Sequence, residues 1–244
     1  ASTGDLSPEV LHGLADIARR HNGGWLRTAI TQNVVLRWLR EEQLSALHRD
    51  LFEIGLAAAG ARTLTDVMSC PGATSCSLAV TASIEMARIG LGPTVKELVK
   101  KYPSAEHIRI KISGCPNGCG QHHLATIGFE GAAVKQDLLQ VPSYLVWAGG
   151  GNTPEGLRLG ERVGRVAAKR APEALEKIIA TYDGERAGGE TFYNWLDRVG
   201  LPRLKELIAE YREVGPLHKA LDSYKDWGSD EIFQVIHGEG ECAA

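Results

Sequence analysis

The chain has 244 residues, 43% of them hydrophobic, with 27 Lys plus Arg against 30 Asp plus Glu and a formal net charge of −3. That length holds one large core or two modest ones, and the near-neutral balance asks for neither nucleic acid nor an anionic membrane surface. No apolar run reaches bilayer length, and the opening ASTGDLSPEV has neither the basic start nor the apolar run of a signal peptide. It also lacks an initiator Met, which points to a processed, trimmed or partial chain.

Ser7-Pro8-Glu9 predicts a capped helix start, and Val10, Leu11, Leu14, Ile17 and Ala18 continue it at helical spacing until Asn22-Gly23-Gly24. Trp25–Ile30 and Val34–Leu39 read as extended segments around Thr31-Gln32-Asn33, and Glu41–Ala59 as a second amphipathic helix. Next comes a loop with Cys70 and Cys76 in SCPGATSC. Leu78–Ile89 reads as a helix broken by Gly90-Leu91-Gly92-Pro93, and Thr94–Tyr102 as another. Ile108, Ile110 and Ile112 alternate with Arg109 and Lys111, as in a strand with one buried face. That strand runs into Cys115 and Cys119 in GCPNGCG. Leu124–Phe129 and Tyr144–Trp147 read as strands, Arg162–Tyr182 as one long helix, Asp183–Glu190 as a polar hinge, and Phe192–Tyr211 as a further helix. The segment from Pro216 shows weak periodicity and reads as a surface wrap.

The four cysteines form a C-x5-C pair and a C-x3-C pair among Gly, Pro, Ser, Thr and Asn, where tight turns aim side chains at one point. Four such thiolates suit an iron–sulfur cluster. A zinc site also takes four, but its pairs run C-x2-C to C-x4-C. Disulfides suit small secreted scaffolds rather than five cysteines in 244 residues, and four unrelated thiols would not pair so closely inside loops. Cys242 reads as a free thiol in the tail. Gly149 and Gly151 would need a third glycine at 154, which is Pro, so no dinucleotide fingerprint supports direct use of NAD. Reduced thiols suit the cytoplasm.

Cys70-x5-Cys76 together with GCPNGCG resembles the sirohaem-containing sulfite and nitrite reductases. Arg27 to Asn33, RTAITQN, resembles that family's ferredoxin-like half-domain, and Gly128-Phe129-Glu130-Gly131 and Gly150-Gly151-Asn152 fall where family members have glycine turns. The resemblance covers roughly residues 7–180. It implies an α+β fold: a ferredoxin-like half-domain over 1–62, a sirohaem- and 4Fe–4S-binding α/β domain over 63–185, and a helical C-terminal extension and tail over 186–244. It implies that Cys70, Cys76, Cys115 and Cys119 hold the cluster and that Cys119 also touches the sirohaem iron. Cys119 and Lys111 become the catalytic candidates. Arg27, Gln32, Asn33, Asn117, His122, His123, Asn152 and Arg158 become the cofactor-binding candidates, since a macrocycle with eight carboxylates needs many donors; Arg109 is a further cation of this kind.

The implied reaction is the six-electron reduction of sulfite to sulfide or nitrite to ammonia, with electrons from ferredoxin or a flavoprotein. Family members usually carry two copies of this unit. The first copy has an Arg beside the Gln, where this chain has Thr31. The chain therefore reads as the cluster-bearing second copy. The substrate cations then come from a second homologous repeat, a partner chain or another copy of this chain, or else from Arg37, Arg40 or Lys111. An electron-transfer module that reduces nothing itself is the other reading, and a visible spectrum separates the two.

Overall fold

The computed structural model describes residues 2–153 and 156–235. Cys242 lies outside them. The chain divides into two compact units, residues 1–61 and 62–244.

In the first unit, helix α1 (Pro8–Asn22) starts where Ser7 Oγ accepts the Val10 N–H at 3.4 Å. It ends at Gly23, whose φ of 74° suits a residue without a Cβ. Leu14, Ile17 and Ala18 are buried along one face, against α2 (Leu44–Glu53). His21 Nε2 meets Asp50 Oδ2 at 2.7 Å, and Gln43 Nε2 donates to the His21 carbonyl at 2.8 Å, tying the helices together. The two extended segments contract to a short antiparallel pair, β1 (Leu26–Thr28) and β2 (Val34–Leu36). The predicted helix over Glu41–Ala59 is shorter, a 3-10 turn and then α2, because Gly55 takes a φ of 75° just after it.

The second unit is built on a five-stranded sheet of order β3 (Met68–Ser69), β4 (Ile110–Ser113), β5 (Ile127–Gln136), β6 (Leu139–Ala148) and β9 (Glu161–Ala167). The first three strands are parallel neighbours; β5, β6 and β9 run antiparallel. A separate hairpin, β7 (Gly151–Thr153) with β8 (Gly156–Arg158), interrupts the return from β6. Ile110, Ile112, Ile127, Phe129, Tyr144 and Val146 form a continuous core with Leu91, Val95 and Leu98 and with Leu175, Ile178 and Ile179.

Three helical expectations need correction. Residues 161–167 are strand β9, not the start of a long helix; α5 spans Ala171–Glu185. The register against β6 shifts between Val146 and Trp147, so Val163 is an extra residue and is buried with Val166. That bulge gives a strand the three-residue spacing of a helix. Residues 78–82 are not helical, because their backbone serves the second cysteine loop: the Val80 and Thr81 N–H groups both donate to the Gly114 carbonyl, at 2.8 and 3.0 Å. Helix begins at α3 (Ser83–Glu85) and runs without a break through a π turn, Met86–Leu91, into α4 (Gly92–Lys101). Pro93 sits in the first turn of α4, where a missing N–H is tolerated. Finally, Gly200, at φ 77° and ψ 163°, splits the last predicted helix into α6 (Phe192–Val199) and α7 (Leu201–Ile208). Residues 186–235 do not stand apart as an extension. They belong to the second unit, and buried Phe192, Trp195, Leu204 and Ile208 share its core.

Candidate functional site

Both cysteine loops leave the carboxyl ends of adjacent parallel strands, β3 and β4. That topology brings together pairs separated by thirty-eight residues, at the edge of the sheet where α/β folds commonly place ligands. Cys70 follows β3, and its N–H donates to the Ile112 carbonyl at 3.1 Å. Its Sγ accepts the Gly114 N–H at 3.2 Å and lies 3.2 Å from Ser83 Oγ. Cys76 closes a 3-10 turn over Gly72–Thr74, its N–H on the Gly72 carbonyl at 2.9 Å. Gly72 has a φ of 62°, and a Cβ there would overlap the Ser83 backbone. On the other loop, a Cβ at Gly120 would overlap the Ile112 carbonyl oxygen. Only glycine lets these loops pack this closely.

Cys115 is buried and Cys119 exposed, with Cys70 and Cys76 between the two. Burial pushes the Cys115 thiol up, the Asn117 N–H opposes this, and the charges of Cys70, Cys119 and Cys76 add to it. Among the described residues, no three His, Cys, Asp or Glu side chains are placed to hold one metal ion. Four cysteine thiols carried on two neighbouring loops are a donor set that fits an iron–sulfur cluster.

The other candidates separate into distinct groups. Lys111, on β4, is half-buried, and its Nζ donates to Gln121 Oε1 at 2.9 Å, two residues past Cys119. Burial pushes its ammonium pKa down. Asn117 is exposed at the tip of the second loop. Both ring nitrogens of His122 already face protein partners. Its side chain is 4% exposed, with Nδ1 2.9 Å from Ser113 Oγ and Nε2 3.4 Å from Glu130 Oε2. Trp147 Nε1 donates to the same Glu130 oxygen at 2.8 Å, and the Trp147 and His123 rings pack on His122. The half-buried His123 fixes a neighbouring turn through its carbonyl, which accepts the Gly160 N–H at 2.8 Å. Arg158 is likewise engaged, in a two-point pair with Asp197 at 2.7 and 3.0 Å. Asn152 is exposed on β7. Arg109 bonds the Glu106 carbonyl at 3.4 Å.

In the first unit, Arg27 is exposed on β1. Gln32, at φ 58°, and Asn33 form the turn between β1 and β2, with Asn33 Nδ2 donating to the Thr31 carbonyl at 3.2 Å. Ser83, Gln121 and Trp147 are not singled out as site residues by the sequence, and Glu130 enters there only within Gly128-Phe129-Glu130-Gly131, which lies in strand β5 rather than in a turn.

His122 gives the site an acid sensitivity. Burial, with the charge of His123 adding, pushes its pKa from 6.5 down to about 4, so the ring is neutral at pH 7. The unfolded chain takes up this proton near 6.5 and the folded chain only near 4. Between those values the unfolded state binds more protons, so stability falls as pH drops through the window, by up to about 3 kcal/mol. Melts of the cluster-free chain at pH 7.5 and 4.5 should show the loss, and His122→Gln should reduce it. An equal loss in the variant would assign the acid sensitivity to other groups.

Residues 60–214 match the nitrite and sulphite reductase 4Fe-4S domain. The chain belongs to the nitrite and sulfite reductase family. Residues 2–54 match the same family's ferredoxin-like half domain. The family's cofactors are a 4Fe–4S cluster and sirohaem.

The chain is 30% identical over 197 residues to the sulfite reductase (NADPH) hemoprotein beta-component of an Escherichia coli O139:H28 strain, covering 78% of this chain and 32% of the relative. It is 31% identical over 147 residues to the sulfite reductase (ferredoxin) of Synechococcus elongatus, covering 59% and 22%. Among solved structures, Mycobacterium tuberculosis NirA superposes with a TM-score of 0.71 at 22% identity, covering 84% of this chain and 38% of NirA. Dissimilatory sulfite reductase I gives 0.62 at 14% identity, covering 89% and 68%. These superpositions show a shared α+β fold. The chain spans about a third of the length of these NADPH-type relatives. No helix among the described residues is long and apolar enough to cross a membrane.

Proposed function

We propose that this chain is the cluster-bearing half of a sirohaem-dependent reductase that adds six electrons to sulfite or nitrite. The observation that carries this reading is the meeting of four thiols on two loops at one end of neighbouring parallel strands, one thiol buried and one exposed. The cluster would be held by Cys70, Cys76, Cys115 and Cys119. When bound, the cluster and sirohaem supply single-electron transfer and a reducible iron centre.

The protein's own part is to hold and shield. Cys115 anchors the site from the buried side. Cys119, exposed, is the thiol available to a second group and so fits the bridging role. Gly114 N–H and Ser83 Oγ meet Cys70 Sγ, and contacts of this kind tune a cluster's potential. Lys111 lies on the strand entering the second loop; its depressed pKa makes it a candidate proton donor as well as a cation. Asn117 and His123 flank the same loop. Arg27, Gln32, Asn33, Asn152 and Arg158 remain cofactor-binding proposals, with Arg158 acting only by giving up Asp197. Electrons would come from a ferredoxin or a flavoprotein, and the cytoplasm suits the reduced thiols.

The bridging role has a direct test. Cys119→Ser, loaded with both cofactors, should lose the magnetic coupling between haem and cluster in Mössbauer or EPR spectra. Unchanged coupling would place the bridge on another residue.

A further inference from the structure

A strap, residues 216–235, reaches the segment that follows the first cysteine loop and has one short helical turn, Leu221–Tyr224, among its described residues. Side chains pin it. Tyr224 is buried, and its hydroxyl donates to the Gly215 carbonyl at 3.1 Å and accepts from Gln136 Nε2 at 2.8 Å. Trp227 Nε1 donates to the Ala168 carbonyl at 3.1 Å. Its ring fills the space over Gly90 in the π turn, where a Cβ would stand 2.9 Å from it. The Phe233 N–H donates to the Tyr224 carbonyl at 2.7 Å, and the Phe233 side chain is buried.

Between these anchors sits a buried carboxylate, Asp226, 6% exposed. Its Oδ2 accepts the Ala82 N–H at 2.7 Å and its Oδ1 accepts the Trp227 N–H at 2.8 Å. Burial pushes its pKa up, while the two N–H groups and the charge of Lys169 hold it down. Burying a carboxylate is costly, and the strap already has three large side chains to hold it.

What Asp226 reaches is the turn that joins the cysteine loops. Thr81 donates its N–H to the Gly114 carbonyl. Ser83 Oγ donates to the Cys70 carbonyl at 2.9 Å and lies 3.2 Å from Cys70 Sγ. Ala82, between them, is the residue that Asp226 holds. Fully buried Tyr144 lies alongside: burial pushes its hydroxyl far up, and the charge of Asp226 adds to that, with Thr81 opposing and Cys70 adding.

We propose that Asp226 is a positioning residue for the iron–sulfur site, fixing residues 81–83 from the strap and so setting how Ser83 and Gly114 meet Cys70. This rests on the reading of the four cysteines as cluster ligands. Outer hydrogen bonds to a metal site commonly set its affinity and potential.

The test uses the full chain reconstituted with iron and sulfide, comparing the unaltered protein with Asp226→Ala, Asp226→Asn and Phe233→Ala. Iron release to a chelator and an EPR-monitored midpoint potential are the readouts. Asp226→Ala should lose its cluster at least about tenfold faster and shift the potential. Asp226→Asn, which keeps one oxygen acceptor, should fall between it and the unaltered chain, and decides the matter if the alanine variant does not fold. Phe233→Ala, which loosens the strap elsewhere, should lower Tm without moving the potential. The proposal is overturned if the Asp226 variants match the unaltered chain, or if Phe233→Ala moves the potential as far. If the unaltered chain takes up no iron, the cluster reading falls and this proposal with it.

Discussion

Residues 1–244, carrying both cofactors but no second repeat, should reduce sulfite or nitrite about 10²–10³-fold more slowly than the two-repeat assembly, the loss expected when donors to a reacting anion are missing. An oxyanion held away from bulk water needs several cations or N–H donors around it. Here the position beside Gln32 is Thr31. Among cations of the second unit, Arg158 is paired with Asp197, Arg109 bonds the Glu106 carbonyl and Lys111 bonds Gln121. The chain also covers only 32% of the NADPH-type relative. Adding a second repeat should restore turnover. A chain shown to be monomeric that works at the assembly's rate would overturn both the reading of Thr31 and the proposal that the chain is one half of the enzyme.

Cys115→Ala should cost the chain its cluster, with iron falling from about four per chain to below about one. Cys115 is the buried thiol of the four, 8% exposed, and is proposed as the cluster's inner ligand. The cluster-free fold should survive, because removing one small buried sulfur leaves only a small cavity, a loss of about 1 kcal/mol. Iron content and a thermal melt on the same sample separate loss of ligand from loss of fold. Full iron content in the variant would remove Cys115 from the ligand set.

The cysteine pairs were legible because cluster chemistry needs thiolates in turn-forming loops, and SCPGATSC and GCPNGCG supply both. The capped first helix and the β4 alternation were legible for local reasons: Ser7 caps its own helix, and Ile110 and Ile112 share one face. What failed was set at long range. Val163 and Val166 look helical because a bulge against β6 buries both. Residues 78–82 look helical by composition, yet the Val80 and Thr81 N–H groups are drawn to Gly114, more than thirty residues on. Likewise, the sequence shows His122 and Arg158 as plausible donors but not Glu130 and Asp197, which engage them in the fold. Asp226, reaching Ala82 across 144 positions, has no local signature at all.

The central claim is that these four cysteines hold one 4Fe–4S cluster. Iron, zinc and acid-labile sulfide should be measured on the unaltered chain purified without oxygen. The account predicts about four irons and four sulfides per chain beyond any haem iron. One zinc per chain, with no iron and no sulfide, would contradict it.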